Sequence, residues 1–232
     1  MSHRPTISVI IPAQNEQDSI ASLIVRLKAS AKTKAVKQII VAVNGTDLTA
    51  QRARQAGAVV AAVGGSRALA LNGGQKLATG DILYFLHADS LPPSGWDAQI
   101  VSAYCAGYQA GTFRLRFDHD HPLLRLSAWF TRFNWKFIRF GDQSLFVGQD
   151  EFIKAGKFNE AMRIMEDREI IDRIATFSKF VVLPQYVITS ARKYQRYGYW
   201  RLQGVYVLVN IFYYLRFPQA RIVALYGRLL GS

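Results

Sequence analysis

The stretch ILYFLHADS, residues 82–90, joins five consecutive apolar or aromatic side chains, Ile82 to Leu86, to a polar end, His87-Ala88-Asp89-Ser90, ahead of Pro92 and Pro93. A short apolar run closed by turn residues reads as a strand buried on both faces. In extended chain His87 and Asp89 project to the same side. Carboxylate oxygen is a hard donor that suits Mn²⁺ or Mg²⁺, so Asp89, with His87 beside it, is the leading candidate for a metal site. An Asp before Ser-Leu-Pro-Pro also suits a plain turn or cap, and the residues alone leave both readings open.

Upstream, strand-like and helix-like stretches alternate. ISVIIPA (7–13) and KQIIVAV (37–43) read as buried strands and AVVAAV (58–63) as a third short strand, and SIASLIVRLKASA and SRALALNGGQKLA have helical spacing. Asp18 or Ser19 is placed to cap the first helix, and Thr46 or Asp47 a second one that runs to about Gly57. Strands and helices in such series imply an α/β fold with a mainly parallel sheet flanked by helices. Ligands of such sheets gather beyond the carboxyl ends of the strands. Gln14-Asn15-Glu16, Asn44-Gly45-Thr46 and His87-Ala88-Asp89 all fall at that edge. Downstream, GTFRLRF (111–117), GDQSLFV and KFVVLP read as further strands, HPLLRLSAWFTRFNWKFIRF (121–140) as an amphipathic aromatic helix, and MEDREIIDRI as the start of another helix. Neither an internal repeat nor a low-complexity linker interrupts the 232 residues.

Half of the residues are hydrophobic and 19% are charged, a composition that folds rather than stays disordered. The single Cys105 excludes an internal disulfide framework and a cysteine-based zinc cluster. The N-terminal apolar run is short and contains Pro12, unlike a cleaved secretory signal, so the expected location is the cytoplasm. The net charge of +13 is unevenly spread. After the last acidic residue, Asp172, come nine cations: Arg173, Lys179, Arg192, Lys193, Arg196, Arg201, Arg216, Arg221 and Arg228. Residues 191–232 are therefore expected to form a basic, aromatic helical extension to a domain at 1–190. The apolar run VYVLVNIFYYL (205–215) falls short of the roughly 20 residues needed to span a bilayer. It suits a helix lying on an anionic membrane surface at the inner face of the membrane, or one packed on the domain or on a second subunit as a homodimer. Charge alone does not make a nucleic-acid reader, and no motif for one accompanies it.

The chain contains neither G-x-G-x-x-G nor G-x-x-x-x-G-K-[ST], which disfavours dinucleotide dehydrogenases and P-loop enzymes. The remaining chemistry lies in scattered polar groups. Glu166-Asp167 opens a helix, where acidic residues complement the dipole, and one carboxylate could serve as a general base. Gly141-Asp142-Gln143 could hydrogen-bond a hydroxylated acceptor or simply turn the chain. Arg67 and Asn72 could meet phosphate or ribose, and Arg192 could clamp a diphosphate.

These pieces, in this order, resemble the family-two glycosyltransferases of the GT-A fold, and among them the bacterial group of radical-SAM/selenodomain-associated transferases 2. The matching stretches are SVIIPAQNE, GSRALALNGGQKLATGDILYFLHADS, LPPSGWD, GTFRLRFD, GDQSLFV, MEDREI and TSARKYQRYG, between about residues 7 and 198. The resemblance implies a nucleotide-diphospho-sugar donor, a divalent cation (Mn²⁺ or Mg²⁺) at His87-Ala88-Asp89 in the place of an Asp-X-Asp motif, and a hydroxyl acceptor that could be lipid-linked. It assigns Asp167, paired with Glu166, as base for an inverting displacement. Pro12, Gln14, Asn15, Glu16, Asn44, Arg67, Asn72, His87, Ala88 and Arg192 fall on the donor side, and Gly141, Asp142 and Gln143 on the acceptor side. The chain departs from the family where relatives read V-D-G-G-S-T-D: here Val43 stands for the base- and ribose-facing Asp, and one residue is missing. Ala70 likewise replaces a usual Gln. A protein that binds nucleotide sugar or a membrane surface without turnover is the alternative reading, and losing such a polar contact costs about 1 to 3 kcal/mol of donor affinity.

Overall fold

A computed structural model describes residues 4–135, 138 and 141–231. The first part of the chain alternates β1 (Ile7–Ala13), α1 (Ile20–Ser30), β2 (Val36–Val43), α2 (Thr49–Gln55), β3 (Val59–Ala62), α3 (Arg67–Lys76) and β4 (Ile82–Phe85). All four strands run parallel, with β1 paired to both β2 and β4. The central strands β1 and β4 are buried almost without a break because helices cover both faces, which is why no polar alternation shows in their sequence, whereas β3 at the sheet edge leaves Val59 and Ala62 exposed. Ser66 caps α3 by accepting a bond from the Leu69 N–H at 3.3 Å. At α1 the expected side-chain cap is absent: the Glu16 carbonyl accepts from the N–H groups of Ser19 and Ile20, and the Ser19 hydroxyl donates to the Glu16 carboxylate at 2.6 Å.

Helix α3 lies unusually close to the sheet. A Cβ on Gly73 would stand 2.5 Å from Val63 Cγ2, and one on Gly74 would stand 2.7 Å from Ile10 Cγ2. Glycine at these two positions is what permits the approach. Arg67, the first residue of α3, is thereby fixed beside the carboxyl ends of β1 and β4.

The second part of the chain adds β5 (Ser90–Leu91), α4 (Trp96–Cys105), β6 (Ala110–Phe117), α5 (Pro122–Phe130), a 3₁₀ turn (Gly141–Gln143), β7 (Leu145–Gly148), α6 (Gln149–Lys154), α7 (Glu166–Ile174) and β8 (Phe180–Thr189). The sheet order is β3-β2-β1-β4-β7-β6-β8-β5, with β7 antiparallel to both β4 and β6, and β5 antiparallel to β8. The result is the mixed, mainly parallel sheet expected from the sequence. Trp96, fully buried, stacks on Tyr84 at 5.1 Å and anchors α4 beneath β4. Asp97, next to it, is also fully buried and accepts from the Lys32 and Thr33 N–H groups at 2.8 and 2.7 Å and from the Thr33 hydroxyl. These bonds tie the end of α1 to the start of α4.

The expected aromatic helix over 121–140 is shorter than its pattern. It stops at Phe130, and Lys136, Phe137, Arg139 and Phe140 lie outside the described residues. Thr131 ends it: its hydroxyl donates to the Ala128 carbonyl and accepts from the Leu115 N–H at 2.9 Å, turning the chain back onto β6. Beyond β8 come α8 (Arg192–Tyr197), α9 (Tyr199–Tyr214) and α10 (Gln219–Leu230). Leu202, Val205, Val209, Ile222 and Leu230 from these helices pack with Leu124 of α5 into a core of their own. Among the described residues no helix is long and apolar enough to cross a membrane.

Candidate active site

Four pieces of chain meet at the carboxyl edge of the parallel strands. The β4 strand ends into His87-Ala88-Asp89, and β5 pairs with the end of β8 in the register Ser90 to Thr189, with their hydroxyls 2.9 Å apart. Asp89 is thereby held against the segment that starts α8. Met165 takes a left-handed backbone conformation (φ 68°) at the head of α7, which turns Glu166 and Asp167 inward. The 3₁₀ turn closes the fourth side. A side chain at Gly141 would overlap the Asp167 carboxylate, so any other residue here forces the turn or Asp167 to move.

Arg67 sits at the centre. One guanidinium nitrogen donates to Glu166 at 2.8 Å and to Asp167 at 2.5 Å, and the other lies 2.6 Å from His87 Nε2. A guanidinium can only donate, so His87 Nε2 accepts and the ring proton belongs on Nδ1, which faces Asp142 at 3.5 Å. Burial would lower the Arg67 pKa, but the Asp167 and Glu166 charges outweigh it and raise it. Burial likewise works to raise Asp167, and the Arg67 charge overrides it and holds the carboxyl well below the usual range. Glu166 is raised, chiefly by burial and then by repulsion from Asp167. Two adjacent carboxyls thus have opposite shifts: Asp167 is firmly ionised, and Glu166 is the readier of the two to take a proton.

A cavity of about 410 Å³ opens from this cluster, lined by Asp89, Asp142, Glu166 and Asp167 on one wall and by residues of α8, α9 and α10 on the other. Asp89 and Asp167 therefore share one hollow. A carboxylate–guanidinium latch beside a free carboxylate can bind an anionic ligand, hold a cation and, with Arg67 displaced, accept a proton. Asp89 is exposed and makes no ion pair among the described residues. Such a hard carboxylate fits Mn²⁺ or Mg²⁺, ions that complete their shells with substrate phosphate and water. Among the described residues no cluster of three or more His, Cys, Asp or Glu is placed to hold a metal by protein groups alone. His87, expected beside Asp89 as a ligand, has its Nε2 lone pair engaged by Arg67.

The other residues singled out in the sequence divide into two groups. Gly141 and Asp142 line the cavity, while Pro12 stands at a small void beside Arg67 and Asp167. Asn15, in a left-handed conformation (φ 55°), and the exposed Gln14 stand at the end of β1. Glu16 receives Arg192 at 3.9 Å across the mouth of that edge. Asn44 donates to the Gly65 carbonyl at 2.5 Å and closes the turn before α3. Asn72 points elsewhere. It is buried, donates to the Phe158 carbonyl and Glu160, and accepts from the Phe158 N–H, so it fastens the loop after α6 rather than meeting a ligand. Gln143 is buried too, its amide donating to the carbonyls of Phe113 and Thr131, and this likewise displaces the acceptor contact expected of it. Val43 is packed in the core and offers no polar contact. Further lining residues carry no signal in the sequence: Tyr206, Asn210 and Tyr226 reach the cavity because α9 and α10 fold back over it, Lys193 comes from α8, and Arg163 from the segment before α7.

Residues 8–177 match the family described as Glycosyl transferase family 2. No curated protein matches the chain in sequence. Among solved structures, the chain is similar to a mannosyltransferase from Pyrobaculum calidifontis in complex with GDP-Man and Mn²⁺ (TM-score 0.71, 17% identity, 98% of this chain and 70% of that one). It is similar to glucosyl-3-phosphoglycerate synthase from Mycobacterium tuberculosis, solved with Mn²⁺, UDP and phosphoglyceric acid (TM-score 0.63, 18% identity, 92% and 80%). It is also similar to TarS of S. aureus (TM-score 0.64, 16% identity, 97% of this chain), of which it spans 43%. At these identities the likeness is one of fold.

Proposed function

The chain belongs to glycosyl transferase family 2, and on that premise we propose that it moves a sugar from a nucleotide-diphospho-sugar to an acceptor hydroxyl with inversion, Asp167 acting as base. The observation that carries this reading is the shared cavity: Asp89 and Asp167, 78 positions apart in the chain, line one hollow with Arg67 between β4 and α7. Asp89 would hold a divalent cation, which supplies charge neutralisation at the diphosphate. The relatives solved with Mn²⁺ and GDP-Man or UDP support that choice of ion and donor.

In the unliganded protein Asp167 is a poor base, since Arg67 holds it ionised and hydrogen-bonded. A donor diphosphate offers Arg67 a competing anion of higher charge, and the guanidinium passes from carboxylate to phosphate oxygen. Asp167 then accepts the proton of the attacking hydroxyl, and the hydroxyl oxygen bonds to the anomeric carbon as the bond to the diphosphate breaks. His87, released on its Nε2 side, orients the loop that carries Asp89. Asp142 and Gly141 border the acceptor hydroxyl, and Asn15, Glu16, Asn44 and Arg192 flank the nucleotide. The basic C-terminal extension, residues 191–232, would hold the catalytic domain, 1–190, at an anionic membrane surface or join two copies. The acceptor would then be a hydroxyl compound, lipid-linked in the first case.

The test is Asp167→Asn. It is expected to lower transfer by about 10²- to 10⁴-fold, the usual contribution of a general base, with donor affinity by calorimetry nearly unchanged. Comparable turnover in the variant removes Asp167 as base. Donor binding without turnover in the parent protein, across a panel of hydroxyl acceptors with Mn²⁺, would favour the binding-only reading that Val43 and Ala70 suggest.

A further inference from the structure

Helix α9 is apolar on two sides. Its inner side, Leu202, Val205 and Val209, is buried in the core shared with α5 and α10. Trp200, Gly204, Val207, Ile211 and Leu215 are all exposed and recur at intervals of three or four, so they form one stripe along the outside of the helix. Trp200 is 76% exposed, Leu215 64%, Val207 50% and Ile211 48%. Four large apolar side chains along one face, with only Gly204 between Trp200 and Val207, form an exposed apolar patch of the kind that marks interaction surfaces. The stripe is separate from the cavity, which takes the Gln203, Tyr206, Val209 and Asn210 side of the same helix.

Charge decides what covers it. No acidic residue follows Asp172, and Arg196, Arg216, Arg221 and Arg228 are exposed around the stripe's helices. A second copy laid on the same face would bring the cations of one extension against those of the other, and the extension itself holds no carboxylate to pair with them. An anionic bilayer offers apolar chains to the stripe and phosphate to the cations, the arrangement of a helix lying in the interface plane. We propose that the outer face of α9 is a membrane-docking surface, in which Trp200, Val207, Ile211 and Leu215 enter the headgroup boundary of an anionic lipid bilayer while Arg216 and Arg221 meet its phosphates. Arg201 serves differently: it donates to the Leu229 carbonyl and ties α9 to α10. This surface stands independently of the transfer chemistry, because none of its residues lines the cavity.

Flotation of the full-length protein with vesicles of phosphatidylcholine containing phosphatidylglycerol tests it, with pure phosphatidylcholine vesicles and raised salt as companion arms. The protein is expected to float with the anionic vesicles, and less so in high salt. The Trp200→Glu/Ile211→Glu double variant should remain at the bottom of the gradient. Arg216→Gln with Arg221→Gln should lower partitioning by about thirtyfold, from roughly fivefold per cation. Circular dichroism and donor affinity of each variant, unchanged from the parent, show that the fold is retained. Unaltered flotation of a folded double variant overturns the proposal. So does a parent protein that ignores anionic vesicles and instead forms a dimer by light scattering which the double variant abolishes.

Discussion

The guanidinium of Arg67 stands 2.5 Å from the carboxylate of Asp167 and bonds Glu166 as well, so one cation bridges both acids at the head of α7. Replacing it strands two largely buried carboxylates. Arg67→Met is expected to lose about 2 to 3 kcal/mol of stability in urea, at or just under the range for breaking a buried pair because the guanidinium is one-third exposed. Arg67→Lys should recover part of the loss. Its single ammonium cannot reach all three partners, so donor binding should remain weakened.

The pH dependence of stability follows from the lowered Asp167 pKa. A carboxyl that is more acidic folded than unfolded contributes fully above the unfolded value, about 3.9, and loses that contribution as pH falls through the folded one. In a Glu166→Gln background, which removes the neighbouring carboxyl whose raised pKa depends partly on Asp167, the urea-midpoint gap between Asp167 and Asp167→Asn should therefore be constant from neutral pH down to about 4 and narrow below it. A gap that widens on acidification would contradict the assigned direction.

Gly141→Ala pushes a methyl group into the Asp167 carboxylate. The 3₁₀ turn must shift or Asp167 must swing, and overpacking of this kind costs about 1 to 3 kcal/mol. The expected result is a lower melting temperature and a fall in turnover greater than the fall in donor affinity.

Asn72→Ala discriminates a structural residue from a ligand contact. Its three bonds to the 158–160 loop predict a loss of about 1 to 3 kcal/mol in stability, with donor affinity per folded molecule unchanged. A selective loss of donor binding would return it to the site.

Asp89→Asn should abolish the dependence of donor binding on Mn²⁺ while leaving stability in chelator within about 0.5 kcal/mol, as befits an exposed side chain with no ion pair among the described residues. Calorimetry with and without the ion, and unfolding in chelator, check the two halves separately.

Much of the architecture is legible in the residues because parallel strands buried on both faces leave continuous apolar runs, as in Ile7–Ala13 and Ile82–Leu86. Strand β8 is longer than KFVVLP suggests. Pro184, an apparent terminator, sits where the β6 pairing jumps from Leu183 to Tyr186, a bulge that needs no N–H from it. The site is half legible. Asp89 and Asp167, singled out by the motif order, line one cavity, whereas Asn72 and Gln143 are polar residues whose bonds go mainly to backbone groups distant in sequence. A sequence shows that a side chain can donate, not which carbonyl lies opposite. The far cavity wall depends on how α9 and α10 fold back, and their aromatic composition fits several such packings.

The two glycines that seat α3 on the sheet also fix how the site can open. With methyl-sized clearance missing at Val63 and Ile10, the helix has no room to pivot, and the backbone under Arg67 stays where it is. Freeing Asp167 is then a matter of torsion about the arginine's own bonds, with no movement of the helix that carries it. Donor capture should accordingly proceed without a kinetic lag, the arginine flicking between carboxylate and phosphate on a stationary floor.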